Sequence, residues 1–301
     1  MVELIHDTFL GLSPQDSSYE DSQVVIVRAA YDGSTSYVAG TRDGPRAIVE
    51  ASQQVEPYDI ELAREICDVG IHTLPTIMPT AGGPEAMCEA VYEICAGPAR
   101  DGKLVFLLGG EHSVTFGGAR AAVEQHGPLS FLQIDAHLDL RDSYEGSRFS
   151  HACVGRRLLD LSAPDDRDAP ILVQVGIRAA CPEELDTVRD YDLDPLFAHE
   201  IAGQPREQWI KRAVDALGPK VYVTLDVDGL DPSVIGATGT PMPGGLGWYD
   251  TLALLRAVGE QREVVACDVV ELAPGVGASH ASAFAAAQLC YKMIGYFTTV
   301  R

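Results

Sequence analysis

The sequence predicts an α/β protein built on a parallel sheet with helices on both faces, and two observations carry that prediction. Short apolar, β-branched runs alternate with amphipathic, alanine-rich segments, the pattern of a parallel sheet wound through right-handed crossovers. Several runs (KLVFLL, ILVQV, VYVTLDV) are apolar on both faces, as strands are when helices cover both sides.

In chain order, the runs place strands at 23–28, 65–69, 103–108, 129–135, 171–175, 220–226 and 263–270. Between them, helical periodicity appears at 44–54 after a Gly-Pro-Arg turn, and at 84–96, 114–126, 205–217, 249–260 and 279–296. Residues 236–247, GATGTPMPGGLG, are too rich in Gly and Pro for helix or strand; so long a loop in a compact α/β protein is often functional. No linker, charge block or fixed-period repeat divides the chain, so residues 1–301 read as a single domain.

Composition excludes several function classes. The balance of 44 Asp+Glu against 22 Lys+Arg gives a formal charge of −22. That surface repels nucleic acid and anionic membranes, and it favours a cationic substrate or metal; plain solubility is the simpler account of it. No apolar run approaches the ~18 residues of a membrane span. Seven scattered cysteines without a CxxC pair point to a reducing, cytoplasmic setting. Neither GxGxxG after the first strand, nor a P-loop, nor a GxSxG elbow is present. Cys153 lies near His151 in sequence, but that adjacency is not the arrangement a thiol nucleophile needs.

The chemistry concentrates at predicted strand ends, where parallel sheets bind their ligands. KLVFLL runs into Gly109-Gly110-Glu111-His112-Ser113, LSFLQI into Asp135-Ala136-His137-Leu138-Asp139, and VYVTL into Asp226-Val227-Asp228. In extended chain, Asp135, His137 and Asp139 project to one side, as do Asp226 and Asp228. Four such carboxylates repel unless cations neutralise them, and two divalent ions supply that charge. Carboxylates with imidazole and no thiolate suit Mn²⁺ ahead of Zn²⁺ or Mg²⁺. Each motif has a bland reading: a DxD pair can be a turn, and Ser113 can merely cap a helix. The three together at strand ends are hard to explain structurally. Two further residues fit the same chemistry, although either is ordinary when taken alone. His151 titrates where a proton shuttle would. Glu271, ending the run VVACDVV, can receive a guanidinium in a bidentate pair.

GGEHS, DAHLDLRDSYEG, FSHACVGRR, TLDVDGLDPS and DVVELAP, with YDGSTSYVAGTRDGPRAIVEAS before them, resemble the blocks of the ureohydrolase family of arginases and agmatinases. The similarity runs from about residue 25 to 297 and looks most like the agmatinases. It implies a three-layer α/β/α domain with an eight-stranded, mainly parallel sheet and two Mn²⁺ ions. His112, Asp135, His137, Asp139, Asp226 and Asp228 stand at the ligand positions, with Asp135 and Asp226 expected to bridge. By the same resemblance, His151 shuttles protons, Asp139 passes one to the departing amine, and Glu271 binds the guanidinium. The implied reaction cleaves agmatine to putrescine and urea, in a homotrimer or homohexamer.

The sequence departs from that pattern at Gly275-Val276-Gly277 after ELAP and at Val234–Thr238 before GTP, which bears on the substrate rather than the reaction. Arg141 bears on it too: near the pocket it would welcome a carboxylate, but locked to Asp142 or Glu145 it would not. Guanidinobutyrase, arginase or formiminoglutamase activity, and an inactive metal-binding homologue, therefore stay open beside agmatinase. A single-metal deacetylase on a similar sheet is disfavoured by the two acidic clusters.

Overall fold

The computed structural model describes residues 6–161, 172–277 and 280–298. Ten strands occur in these residues: β1 (Val24–Ala29), β2 (Tyr58–Asp59), β3 (Arg64–Glu65), β4 (Ile71–Ile77), β5 (Leu104–Gly109), β6 (Ser130–Ile134), β7 (Leu172–Ile177), β8 (Leu196–Phe197), β9 (Lys220–Asp226) and β10 (Glu263–Val270). Eight of them form one sheet in the order β4-β1-β5-β10-β9-β6-β7-β8, and every pairing in it is parallel. The expected fold class is therefore found, eight strands included.

Alternation along the buried strands builds a core on each face. In β1, Val24 and Ile26 join one cluster while Val25, Val27 and Ala29 join the other. Helix α1 (Gly44–Ser52) packs on the first face, as do the later helices α7 (Arg206–Asp215), α8 (Trp248–Gln261) and α9 (His280–Thr298). The opposite face carries α2 (Gly83–Arg100), α3 (Thr115–His126), α4 (Val154–Leu161) and, more loosely, α5 (Pro182–Asp190). The short α6 (Ala198–Ile201) follows the edge strand β8. Among the described residues, no helix is long and apolar enough to cross a membrane.

Two expected elements are displaced. The strand read at 65–69 is a two-residue antiparallel pairing followed by a 3-10 turn at Ile66–Val69. The sheet strand begins after Gly70, whose φ of +74° makes the turn, and pairs Ile71 with Val24. It contains Pro75, which cannot donate to a ladder but is tolerated here because β4 is an edge. The helix read at 84–96 runs on through Pro98 to Arg100 before ending. Residue 171 and residue 279, at the starts of an expected strand and helix, lie outside the described residues.

Close approach of backbones sets where the site-bearing turns sit. A Cβ on Gly229 would lie 2.7 Å from the Asp135 backbone nitrogen and 2.9 Å from the Ile134 carbonyl carbon. Gly229→Ala should therefore push β6 and β9 apart at their carboxyl ends. With overpacking at ~1–3 kcal/mol and ~2–4 °C per kcal/mol, calorimetry should show Tm lowered by roughly 2–12 °C. Gly275, with no atom within 4 Å and no positive φ, is the control: its alanine variant should leave Tm within about 1 °C.

Candidate metal centre

The four central strands β5, β10, β9 and β6 are neighbours, so the residues that follow them meet above the sheet. His112 opens the 3-10 turn beyond β5, and Asp135 directly follows β6. Asp226 ends β9, Asp228 lies in its 3-10 turn, and Glu271 follows β10. His151 arrives from outside this set, on the turn leading into α4. With His137 and Asp139 these eight line or adjoin one cavity of about 170 Å³, and of them only Asp135 is absent from its wall. That is narrow beside the ~300–1,000 Å³ of most ligand pockets.

Two ligand groups emerge. His112, Asp135 and Asp226 have donor atoms close enough to share one ion, and so do Asp135, His137 and Asp228. Asp135 belongs to both. His112 Nδ1 is 3.2 Å from Asp135 Oδ2, 3.3 Å from Asp139 Oδ2 and 3.5 Å from Asp226 Oδ2. His137 Nδ1 is 3.5 Å from Asp135 Oδ1 and 3.1 Å from Asp228 Oδ2. Despite these approaches, His112 Nδ1 is buried without a hydrogen-bond partner. A buried ring nitrogen facing three carboxylates suits a cation between them, since donors around one ion with bonds of ~2.1 Å lie ~3 Å apart. The donor set therefore fits a divalent pair.

Local backbone explains how each group turns inward. Extended chain aims Asp135 and His137 as alternation predicts, with His137 bridging to Ala179. Asp139 does not continue the extended run: its φ is +52°, and that left-handed step brings its carboxylate to His112. Glu271 has φ +66°, with its N–H donating to the Gly110 carbonyl and its Oε1 accepting from the His112 N–H at 2.7 Å. Non-glycine residues in this region signal strain held by the surroundings, which clusters at functional sites.

Electrostatics follow from burial and crowding. Burial and the Asp135 charge push Asp139 up to about 6. Burial and the charges of Asp228 and Asp135 raise Asp226 well above the carboxylate range. Burial opposes a charge on Asp135, but His112 and His137 hold it well below that range. Burial lifts Glu271 to about 8, with the His112 N–H pulling down and the Glu111 charge pushing up.

Several supporting residues were missed in the motif reading. Glu111 accepts from Ser113 Oγ at 2.6 Å and from the Ser34 N–H at 2.6 Å, and Ser34 Oγ accepts the His151 N–H at 3.2 Å. Ser36 Oγ lies 3.3 Å from His151 Nε2 and 3.5 Å from Tyr144 OH, and the Tyr144 ring meets His151 edge-on. Thr240, inside the Gly/Pro-rich loop, donates to Asp228 Oδ2 at 3.3 Å. Arg178 ties that loop down by donating to the Met242 and Asp228 carbonyls, each at 2.6 Å. A hydroxyl or arginine carries no spacing rule, so only membership of the quoted blocks pointed to Ser34, Ser36 and Tyr144. Arg141 does line the cavity; its ion pair is with Glu184, at 3.5 Å, rather than with Asp142 or Glu145, and it stands over the Tyr144 ring.

Fold and site define a class: a three-layer α/β protein with a buried carboxylate–imidazole centre at the carboxyl ends of its central strands. The Arginase family profile matches residues 22–295, and the chain belongs to that family of ureohydrolases. It is 42% identical over 290 residues to the N(1)-aminopropylagmatine ureohydrolase of Synechocystis sp., covering 93% of this chain and 91% of that one. It is 32% identical over 281 residues to the agmatinase of Pyrococcus horikoshii, covering 92% of each. The crystal structure of agmatine ureohydrolase from Thermoplasma volcanium superposes with TM-score 0.85 at 27% identity, over 99% of this chain and 94% of that one.

Burial is the main cause holding His151 down to about 4, with the positive charge of His112 second. Against ~6.5 in the unfolded chain, its stabilising contribution is complete above that value and is lost as pH falls toward about 4. The stability advantage of wild type over His151→Asn, from urea denaturation in EDTA, should therefore shrink between pH 7.5 and pH 5.5. An advantage that stays constant or grows would mean that the imidazole is not held neutral.

Proposed function

We propose that this chain, as a single catalytic domain, hydrolyses the terminal guanidino group of a linear polyamine, N(1)-aminopropylagmatine, to urea and spermidine. The carrying observation is the convergence of seven carboxylate and imidazole side chains on the wall of one narrow cavity, in a chain 42% identical to a relative that bears that activity in its name. A second reading, agmatine to putrescine, is favoured by the matching agmatinase and by the small cavity. Assembly as a trimer or hexamer and a cytoplasmic setting remain part of the proposal, the first supported by family likeness and the second by seven free cysteines.

His112, Asp135, Asp139 and Asp226 would hold one ion and Asp135, His137, Asp226 and Asp228 the other, both Mn²⁺ by the donor set. When bound, the pair supplies Lewis acidity and a water of lowered pKa. The remaining roles belong to side chains. Glu271, on the cavity wall, pairs with the guanidinium and orients its carbon toward the carboxylates; the arriving cation offsets the burial that raises this carboxyl. Water oxygen bonds to that carbon as Asp139 takes up one of the water's protons, the bond from carbon to the alkylamine nitrogen breaks, and Asp139 delivers that proton to the leaving nitrogen. His151, neutral beside Ser36 and Tyr144, exchanges protons between the cavity and solvent.

Urea release by Mn²⁺-loaded protein from N(1)-aminopropylagmatine, agmatine, arginine, guanidinobutyrate and formiminoglutamate, assayed side by side, tests the substrate. The aminopropyl compound should give the highest kcat/KM; a higher value for agmatine selects the second reading, and preference for any of the acids rejects both. Glu271→Gln should lower kcat/KM by about 10²-fold or more, the scale for losing one partner of a buried charge pair. Prolonged EDTA dialysis should abolish turnover and Mn²⁺ should restore it.

A further inference from the structure

Behind His112, on the side away from the cavity, lies a buried polar chain that no part of the reaction uses. Its Nε2 is 2.9 Å from Thr224 Oγ1, and Thr224 Oγ1 donates to Asp268 Oδ1 at 2.6 Å. Tyr222 OH donates to the other oxygen, Asp268 Oδ2, at 2.7 Å. Thr224 and Asp268 are wholly buried, and Tyr222 and His112 are 1% exposed, so solvent takes no part. The three residues stand on the facing strands β9 and β10, where Thr224 pairs with Asp268 in register.

The direction of the chain follows from counting protons. A carboxylate accepts and cannot donate, so Tyr222 and Thr224 each spend their single hydroxyl proton on it. Thr224 Oγ1 is then an acceptor toward the imidazole, and His112 must carry its proton on Nε2. That makes Nδ1, the atom facing Asp135, Asp139 and Asp226, the nitrogen that is bare whenever the imidazole is neutral.

We propose that Thr224 and Asp268 are positioning residues that fix the tautomer and orientation of His112, so that Nδ1 is presented to the ion it shares with Asp135 and Asp226. This rests on the reading of His112 as a ligand. Partners that orient a ligating histidine typically change metal affinity 10- to 100-fold when removed. Thr224→Val keeps the shape and removes the hydroxyl; Thr224→Ser keeps the hydroxyl. Asp268→Asn leaves a single acceptor oxygen for two hydroxyls, so Tyr222 and Thr224 no longer both donate to this position.

The test is Mn²⁺ titration of the full-length protein, free Mn²⁺ being followed by its electron paramagnetic resonance signal. Wild type should take up two ions per chain. Thr224→Val and Asp268→Asn should weaken one of the two by about 10- to 100-fold and leave the other nearly unchanged, while Thr224→Ser should bind both as wild type does. Should Asp268→Asn fail to fold, the Thr224 pair decides. Two ions bound by Thr224→Val with wild-type affinity, or both ions weakened equally, would overturn the proposal. Wild type that takes up no Mn²⁺ would instead sink the metal reading, and the proposal with it.

Discussion

Mutual repulsion among buried carboxylates at one end of a parallel sheet is the constraint on which this molecule depends. Asp135, Asp139, Asp226 and Asp228 surround two imidazoles, with Glu271 and Glu111 close behind. In water such groups would all ionise. Here burial and crowding lift Asp139 and Asp226, while His112 and His137 hold Asp135 low against its burial. Protons on Asp139, Asp226 and the imidazoles relieve that repulsion here, and cations would relieve it in their place. Neighbouring positions for β5, β10, β9 and β6 create that crowding, and deep apolar cores on both faces make it tolerable.

Strain follows from the same requirement. Asp139 and Glu271 both adopt left-handed backbone, at a cost of roughly 1–2 kcal/mol each. Each is held by a backbone hydrogen bond to a neighbouring element: the Arg156 N–H to the Asp139 carbonyl, and the Glu271 N–H to the Gly110 carbonyl. These clips join the ligand loops to α4 and to the end of β5. The chain is thus rigid where charge is concentrated, as a preorganised hydrolytic site requires.

How far this was legible in sequence depends on whether a residue's role has a period. Strands buried on both faces announce themselves through unbroken apolar runs, and Asp135, His137, Asp226 and Asp228 follow such runs directly. Edge strands escaped: β4 carries Pro75 and is only partly covered, and β8 is two residues long. The short helices α4, α5 and α6 lacked enough turns to show a period. Asp139 does reach His112, but not by the alternation read from its spacing, because the left-handed step that aims it leaves no mark in the sequence. Ser34, Thr224 and Asp268 act by hydrogen bonds across 117, 112 and 44 residues of chain, and only folding brings such partners together.

Charge also limits what the acidic surface can select. The net charge of −22 raises the encounter rate of any polycation, yet charges more than ~8 Å away are largely screened at physiological salt. Choice among guanidino compounds must therefore be made by what lines the cavity. Among the lining residues Arg141 bears the one fixed positive charge, and its partner Glu184 is already committed to the Leu140 and Cys181 N–H groups. Glu184 thus offsets that charge only in part. A substrate tail bearing a carboxylate would be drawn toward Arg141, whereas an ammonium would be turned away, toward the hydroxyls of Thr35, Ser36 and Thr240 on the remaining wall. Those neutral groups accept hydrogen bonds from an amine without demanding a fixed chain length. The wall thus offers one place for a carboxylate and another for an ammonium, so the preference for agmatine or its aminopropyl derivative rests on the named relatives and not on the charge of the lining.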